Sequence, residues 1–190
     1  MTLQQKFLCC SIVIFSLALA GVVFAAGNQP LPGERLSKTC ASCHGTDGAS
    51  PGKLIPIIGG QKKGYLQTVM KEYASGVRPG SVMANLAKGY DAKEQKQIAE
   101  FFFTKPWVNT PHAAASTAKA TLVKSCQGCH GKNGEGKGNF PRIGGQHPEY
   151  LLEALLEYKN GERKAGTMML VKGIDEATLK QMADYYSSLK

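Results

Sequence analysis

The sequence predicts an all-α fold built from two tandem copies of one small helical unit. Three observations predict it. A C-x-x-C-H pentapeptide occurs twice, as Cys40-Ala41-Ser42-Cys43-His44 and as Cys126-Gln127-Gly128-Cys129-His130. The segments that follow the two copies match one another motif by motif. Between the motifs, apolar residues recur at helical spacing, as at Tyr65, Leu66, Val69, Met70 and Tyr73.

The pentapeptide carries a specific chemistry. Two thiols one helical turn apart can each add to one vinyl group of a haem, and the next residue, His, is then held under the iron. Two copies imply two covalently bound haem c groups, attached through Cys40, Cys43, Cys126 and Cys129 and ligated by His44 and His130. The two other cysteines, Cys9 and Cys10, lie in the leader described next. No cysteine is left over for a disulfide, so export here serves haem attachment rather than oxidative stapling.

Residues 1–25 read as a secretory signal: a short start with Lys6, an apolar run from Phe7 to Phe24, and small residues at Ala25 and Ala26 for cleavage. The competing reading is a retained anchor, because a run of about 18 apolar residues nearly spans a bilayer. The expected location is the periplasm. With Lys6 removed, 22 basic residues face 14 acidic ones, a net charge of +8. That charge favours acidic redox partners and peripheral contact with anionic lipid, or is simply a solvated lysine surface. The basic residues are scattered and not interleaved with aromatics, which argues against nucleic acid.

The first unit spans 28–104. A helix runs from about Gly33 into the first motif, and Gly45 to Gly52 reads as a loop. Pro56-Ile57-Ile58-Gly59-Gly60-Gln61 turns into a helix over Tyr65–Tyr73 that Gly76 ends. Met83 falls in a loop, and Asp91 with Glu94 opens a final helix as a capping box. Residues 105–118, with two prolines and small residues, read as a linker in which Trp107 packs into the interface between the units.

The second unit, 119–190, repeats the first. Pro141-Arg142-Ile143-Gly144-Gly145-Gln146 answers the first proline turn, Tyr150-Leu151 answers Tyr65-Leu66, and Gly161-Glu162-Arg163 answers Gly76-Val77-Arg78. Asp175 answers Asp91. Each unit alone is too small for a secure core, and a covalent haem supplies part of what is missing.

A second iron ligand must come from elsewhere in each unit. Methionine suits electron transfer, because a thioether favours reduced iron. Met83 is the candidate in the first unit, while Met70 lies on an amphipathic helix and reads as core. In the second unit the repeat places Met169 opposite Met83, with Met168 as the alternative; Met182 reads as core. His112 and His147 are expected to be exposed, since the repeat offers no matching histidine. A carbonyl at Pro56 and at Pro141 is placed to accept the His Nδ1–H, and plain turn prolines are the competing reading. Gly131 to Gly138 falls short of a phosphate loop: it lacks the final hydroxyl and follows a haem motif rather than a strand. For the same reason it is not a dinucleotide fingerprint.

Tandem C-x-x-C-H units, each with a Pro-x-x-Gly-Gly-Gln turn and a Met segment, resemble the dihaem cytochromes of the c4 type. The run from Asn139 to Leu151 looks especially like that family. The resemblance covers the mature chain. It implies two class I cytochrome c folds with their haems facing one another near the interface, His/Met ligation at both irons, and a periplasmic electron carrier to terminal oxidases. The first unit, from Val82 to Tyr90, is also similar to the cytochrome subunit of flavocytochrome c sulfide dehydrogenase, whose flavin lies on a partner flavoprotein.

Three functions are therefore in play: an electron carrier between redox proteins, the haem subunit of a dehydrogenase complex, and a dihaem enzyme such as a peroxidase. The last needs an open iron site, and a methionine for each iron argues against it. The chain is read as an electron-transfer protein rather than an enzyme.

Overall fold

In the first half, α1 (Pro32–His44) lies against α4 (Ala92–Phe103), while α2 (Lys63–Ser75) packs on α4 and on the short α3 (Ser81–Ala87). The second half repeats the plan with α5 (Ala120–His130), α6 (Pro148–Asn160), a 3₁₀ helix (Gly166–Gly173) and α7 (Glu176–Ser187). This computed structural model describes residues 31–108 and 120–189, and no strand occurs among them. The expected leader, His112 and most of the expected linker lie outside the described residues. No helix among the described residues is long and apolar enough to cross a membrane.

The helices begin and end where the sequence dictates. Asp91 accepts from the Glu94 amide at 2.8 Å, and Glu94 returns a bond from the Asp91 amide at 2.9 Å, so both orphan donors are satisfied. Asp175 repeats the cap with Thr178 as its partner, 2.9 Å from the Thr178 amide. Gly76 and Gly161 end α2 and α6 in left-handed geometry. α1 crosses α4 at Gly33, where a Cβ would stand 2.5 Å from the Gln97 carbonyl oxygen. Only glycine lets the two backbones approach that closely.

The two cores correspond. Leu66, Ile98, Ala99 and Phe102 pack with Leu36 and Cys40 in the first half. Leu151, Ala183 and Tyr186 pack with Val123 and Cys126 in the second. Tyr186 adds a hydroxyl that Phe102 lacks, and this donates to the Val123 carbonyl at 3.1 Å. A buried phenol is kept because it is satisfied. Residues 32–190 form one unit, so the halves of the repeat are docked on each other rather than strung apart.

One expectation about local structure changes. Met83 lies in α3, not in a loop. The equivalent segment of the second half is two residues shorter and winds as a 3₁₀ helix instead.

Candidate haem site

α1 and α5 each end on the histidine of a C-x-x-C-H motif. Both histidines are buried. His44 Nδ1 lies 2.8 Å from the Pro56 carbonyl oxygen, and His130 Nδ1 lies 2.9 Å from that of Pro141. A carbonyl can only accept, so Nδ1 carries the proton and Nε2 keeps its lone pair. Burial lowers the pKa of both rings, opposed in part by the bond to the proline carbonyl. The result is a neutral, oriented imidazole with one nitrogen available to a metal.

The proline carbonyls are held by a loop crossing that both halves share. Ile58 N–H and Gly59 N–H donate to the Gly48 carbonyl at 2.9 and 3.1 Å, and Ile143 and Gly144 do the same to Gly134 at 2.7 and 2.9 Å. Gly48 and Gly134 have φ of 78° and 72°, and a Cβ on either would run into the backbone nitrogen of Gly59 or Gly144. The turn is tied to the last helix of its half by Gly60 N–H to Phe102 O, 2.8 Å, and Gly145 N–H to Tyr186 O, 2.9 Å.

Two glutamines then lock each half to the other. Gln61 donates to the Arg142 carbonyl at 2.9 Å and accepts from the Arg142 amide at 2.7 Å. Gln146 donates to the Ile57 carbonyl at 3.0 Å and accepts from the Ile57 amide at 2.9 Å. His147 is buried rather than exposed, only 2 % accessible, with Nε2 2.9 Å from the Ser50 carbonyl of the first half. The docking of the halves, which places Ser50 over the start of α6, is what buries it. Trp107 does sit at the interface, with the Arg142 guanidinium 4.9 Å from its ring centroid.

A cavity of about 650 Å³, with a largely apolar lining, reaches into both halves. All four motif cysteines and both histidines line it, as do Met83 and Met168. Met169 is half-buried and not among the lining residues. Of the two methionines on the 3₁₀ helix, Gly166–Gly173, the earlier one lines the cavity. Met182 is buried in the core of the second half. Burial raises the pKa of Cys40 and Cys126, so these thiols are protonated at neutral pH.

Two cations also line the cavity. Arg78 and Arg163 are 3 % and 6 % exposed. Each stacks on the tyrosine five residues before it, 5.0 Å from the Tyr73 centroid and 5.2 Å from the Tyr158 centroid. Arg78 also reaches Tyr150 of the other half, and Arg163 pairs with Glu157. The Nε of each arginine is buried without a hydrogen-bond partner among the described residues. An apolar cavity with thiols and imidazoles at its walls and under-satisfied guanidiniums within reach fits an amphipathic macrocycle that carries carboxylates. Haem is such a group, and its propionates would supply acceptors for these donors.

Sequence reasoning passed over Arg78, Arg163, Gln61 and Gln146. The signal was present: each is a polar residue retained in both copies of the repeat.

The chain is similar to known c-type cytochromes. A family model described as cytochrome c matches residues 115–190. Cytochrome c-552 of Acidithiobacillus ferridurans is 30% identical over 98% of the chain and 88% of the relative. Cytochrome c4 of Azotobacter vinelandii is 28% identical over 85% of the chain and 87% of the relative. The cytochrome subunit of sulfide dehydrogenase from Chlorobaculum tepidum is 46% identical, over 37% of the chain and 63% of that subunit. Among solved structures, the cytochrome c4 of Acidithiobacillus ferrooxidans superposes with a TM-score of 0.71 at 28% identity, over 80% of this chain and 99% of that one.

Proposed function

The chain belongs to the cytochrome c4 family of dihaem electron-transfer proteins, and from that premise we propose that it is an exported carrier whose two irons are each held between a histidine and a methionine. His44 and Met83 ligate the first iron, and His130 and Met168 the second, with Met168 in place of Met169. Cys40, Cys43, Cys126 and Cys129 form the thioethers. The observation that carries the reading is the pair of buried histidines, each fixed through Nδ1 and each on the wall of one apolar cavity with a methionine of its own half.

The haems supply a reversible one-electron iron couple. The protein's residues set the conditions for it. Pro56 and Pro141 carbonyls orient the imidazoles and make them better donors to a metal. The apolar wall excludes water and keeps the local dielectric low, which strengthens every charge effect inside. Arg78 and Arg163 would supply hydrogen-bond donors to the haem propionates. A histidine and a methionine for each iron would leave no coordination position open to peroxide or substrate, which suits a carrier of electrons rather than a catalyst of bond chemistry.

Redox partners are proteins of the exported compartment, and the basic mature surface suits acidic ones. A specific match favours a second reading. The cytochrome subunit of sulfide dehydrogenase is 46% identical, over little more than a third of the chain. In that role the chain takes electrons from a flavoprotein. The test is an optical spectrum of the protein purified gently from its host, with a search for flavin. Two haems per chain without flavin support the free carrier; co-purifying flavin on a larger subunit supports the complex.

A further inference from the structure

The glutamine locks do more than join the halves. The Pro56 carbonyl that takes the His44 ring proton and the Ile57 N–H that donates to Gln146 are the two ends of one peptide group. The Pro141 carbonyl that takes the His130 ring proton and the Arg142 N–H that donates to Gln61 are likewise one peptide group. A peptide whose N–H is donated to a good acceptor becomes a better acceptor at its carbonyl, because hydrogen bonds in a chain polarise one another. Each histidine therefore feels a glutamine that belongs to the other half.

We propose that Gln61 and Gln146 are crossed positioning residues: Gln146 sets the electron-donor strength of His44, and Gln61 that of His130. The inference rests on the reading of these histidines as iron ligands. Both glutamines are 2–3 % exposed, so water does not substitute for the lost acceptor. Each amide oxygen also takes the N–H of the next residue in its own chain, Lys62 at 2.9 Å and His147 at 3.0 Å, which fixes the amide orientation. A stronger carbonyl acceptor draws the Nδ1 proton away from the ring and makes the imidazole a stronger donor, which favours oxidised iron. Removing the glutamine weakens that effect and favours reduced iron.

The test uses the full haem-loaded protein and the variants Gln146→Leu and Gln61→Leu. A pyridine haemochrome assay first counts haem in each, and the low-spin spectrum checks axial ligation; absence of either in the wild type would sink the ligand reading, independently of the crossing. Midpoint potentials are then followed by NMR, with each haem identified through the β-protons of its own cysteines. Gln146→Leu is expected to raise the potential of the haem on Cys40 and Cys43 and to leave the other unchanged. Gln61→Leu should do the reverse. In the reduced protein, the Nδ1 proton of the affected histidine should exchange faster than in the wild type, because its retained bond to the proline carbonyl is weakened. A shift confined to the variant's own half, equal shifts at both haems, or no shift would overturn the proposal. If the leucine variants fail to assemble, the wild type still tests it. Slow exchange of the Ile57 and Arg142 amides together with the two histidine protons supports the relay, and exchange of those amides at the rate of open loops would defeat it.

Discussion

Arg78, on the loop after α2, donates from a terminal nitrogen to the Tyr150 hydroxyl on α6, 3.3 Å away, and so carries its buried charge across the boundary between the halves. Glu72 stands 4.0 Å from it, too distant to neutralise it fully. Burial costs the guanidinium, yet the surrounding phenols keep its pKa above the usual arginine value. Tyr150 is pushed up by its own burial and then by Tyr65, so it stays a neutral phenol at neutral pH.

A buried positive charge favours the less positive, reduced state of a nearby iron. Arg78→Met should therefore lower the potentials of the haems, opposite in sign to the glutamine variants. Redox titration reads the sign directly. Truncation to alanine should also destabilise the protein by about 3 kcal/mol, since removal of one partner leaves Glu72 and Tyr150 without their buried cation. Denaturant unfolding of the holoprotein measures this, and an unchanged midpoint would show that the arginine is dispensable.

The methionines give a sharper prediction. Met83→Ala and Met168→Ala should each lower one potential and admit carbon monoxide to one reduced haem, while Met169→Ala leaves both irons closed. Met83 and Met168 line the cavity and Met169 does not; the other lining methionines, Met70 and Met182, are buried core residues on helices. A carbon monoxide complex in Met169→Ala but not in Met168→Ala would restore the ligand that the repeat register suggests.

That register shows what the sequence could and could not convey. The C-x-x-C-H motifs, the Asp91 cap and the Gly76 stop were legible, because each is a local rule with one physical solution. Met83 was legible as a candidate because Gly80 and Asp91 bracket it. The choice between Met168 and Met169 was not, since the second segment is two residues shorter and winds as a 3₁₀ helix where the first is α-helical, so the repeat register does not carry over. His147 was misread as exposed for a different reason: its partner, the Ser50 carbonyl, is 97 residues away, and no periodicity encodes such docking. Gln61, Gln146, Arg78 and Arg163 were visible only as repeated polar positions whose partners lie in the other half or in the cavity.

His147 also yields a stability test. Its ring is buried and bonded to a carbonyl, and its backbone N–H is bonded to Gln146. His147→Ala leaves the Ser50 carbonyl without the ring donor in a closed interface, at a cost of about 1–3 kcal/mol. His147→Lys, which copies Lys62 of the first half, should be no better, because it forces an ammonium into the same space. Equal unfolding midpoints for wild type and His147→Ala would show that the bond contributes nothing.

Charge at the surface should govern rate rather than affinity within the fold. The ion pairs that bridge or flank the halves, such as Lys53–Glu149 at 3.4 Å, are largely solvated and contribute little to stability. The excess of lysine and arginine over acid would act at long range instead, steering any acidic partner toward a productive encounter. Screening shortens that reach to about 8 Å at physiological ionic strength. Stopped-flow reduction by an acidic redox protein should therefore slow steeply as salt rises, while reduction by a small neutral donor should not. If both rates are flat with salt, the basic surface is only a solvated coat, and partner choice must rest on apolar contacts such as exposed Leu54, Val82 and Leu170 at the edges of the cavity.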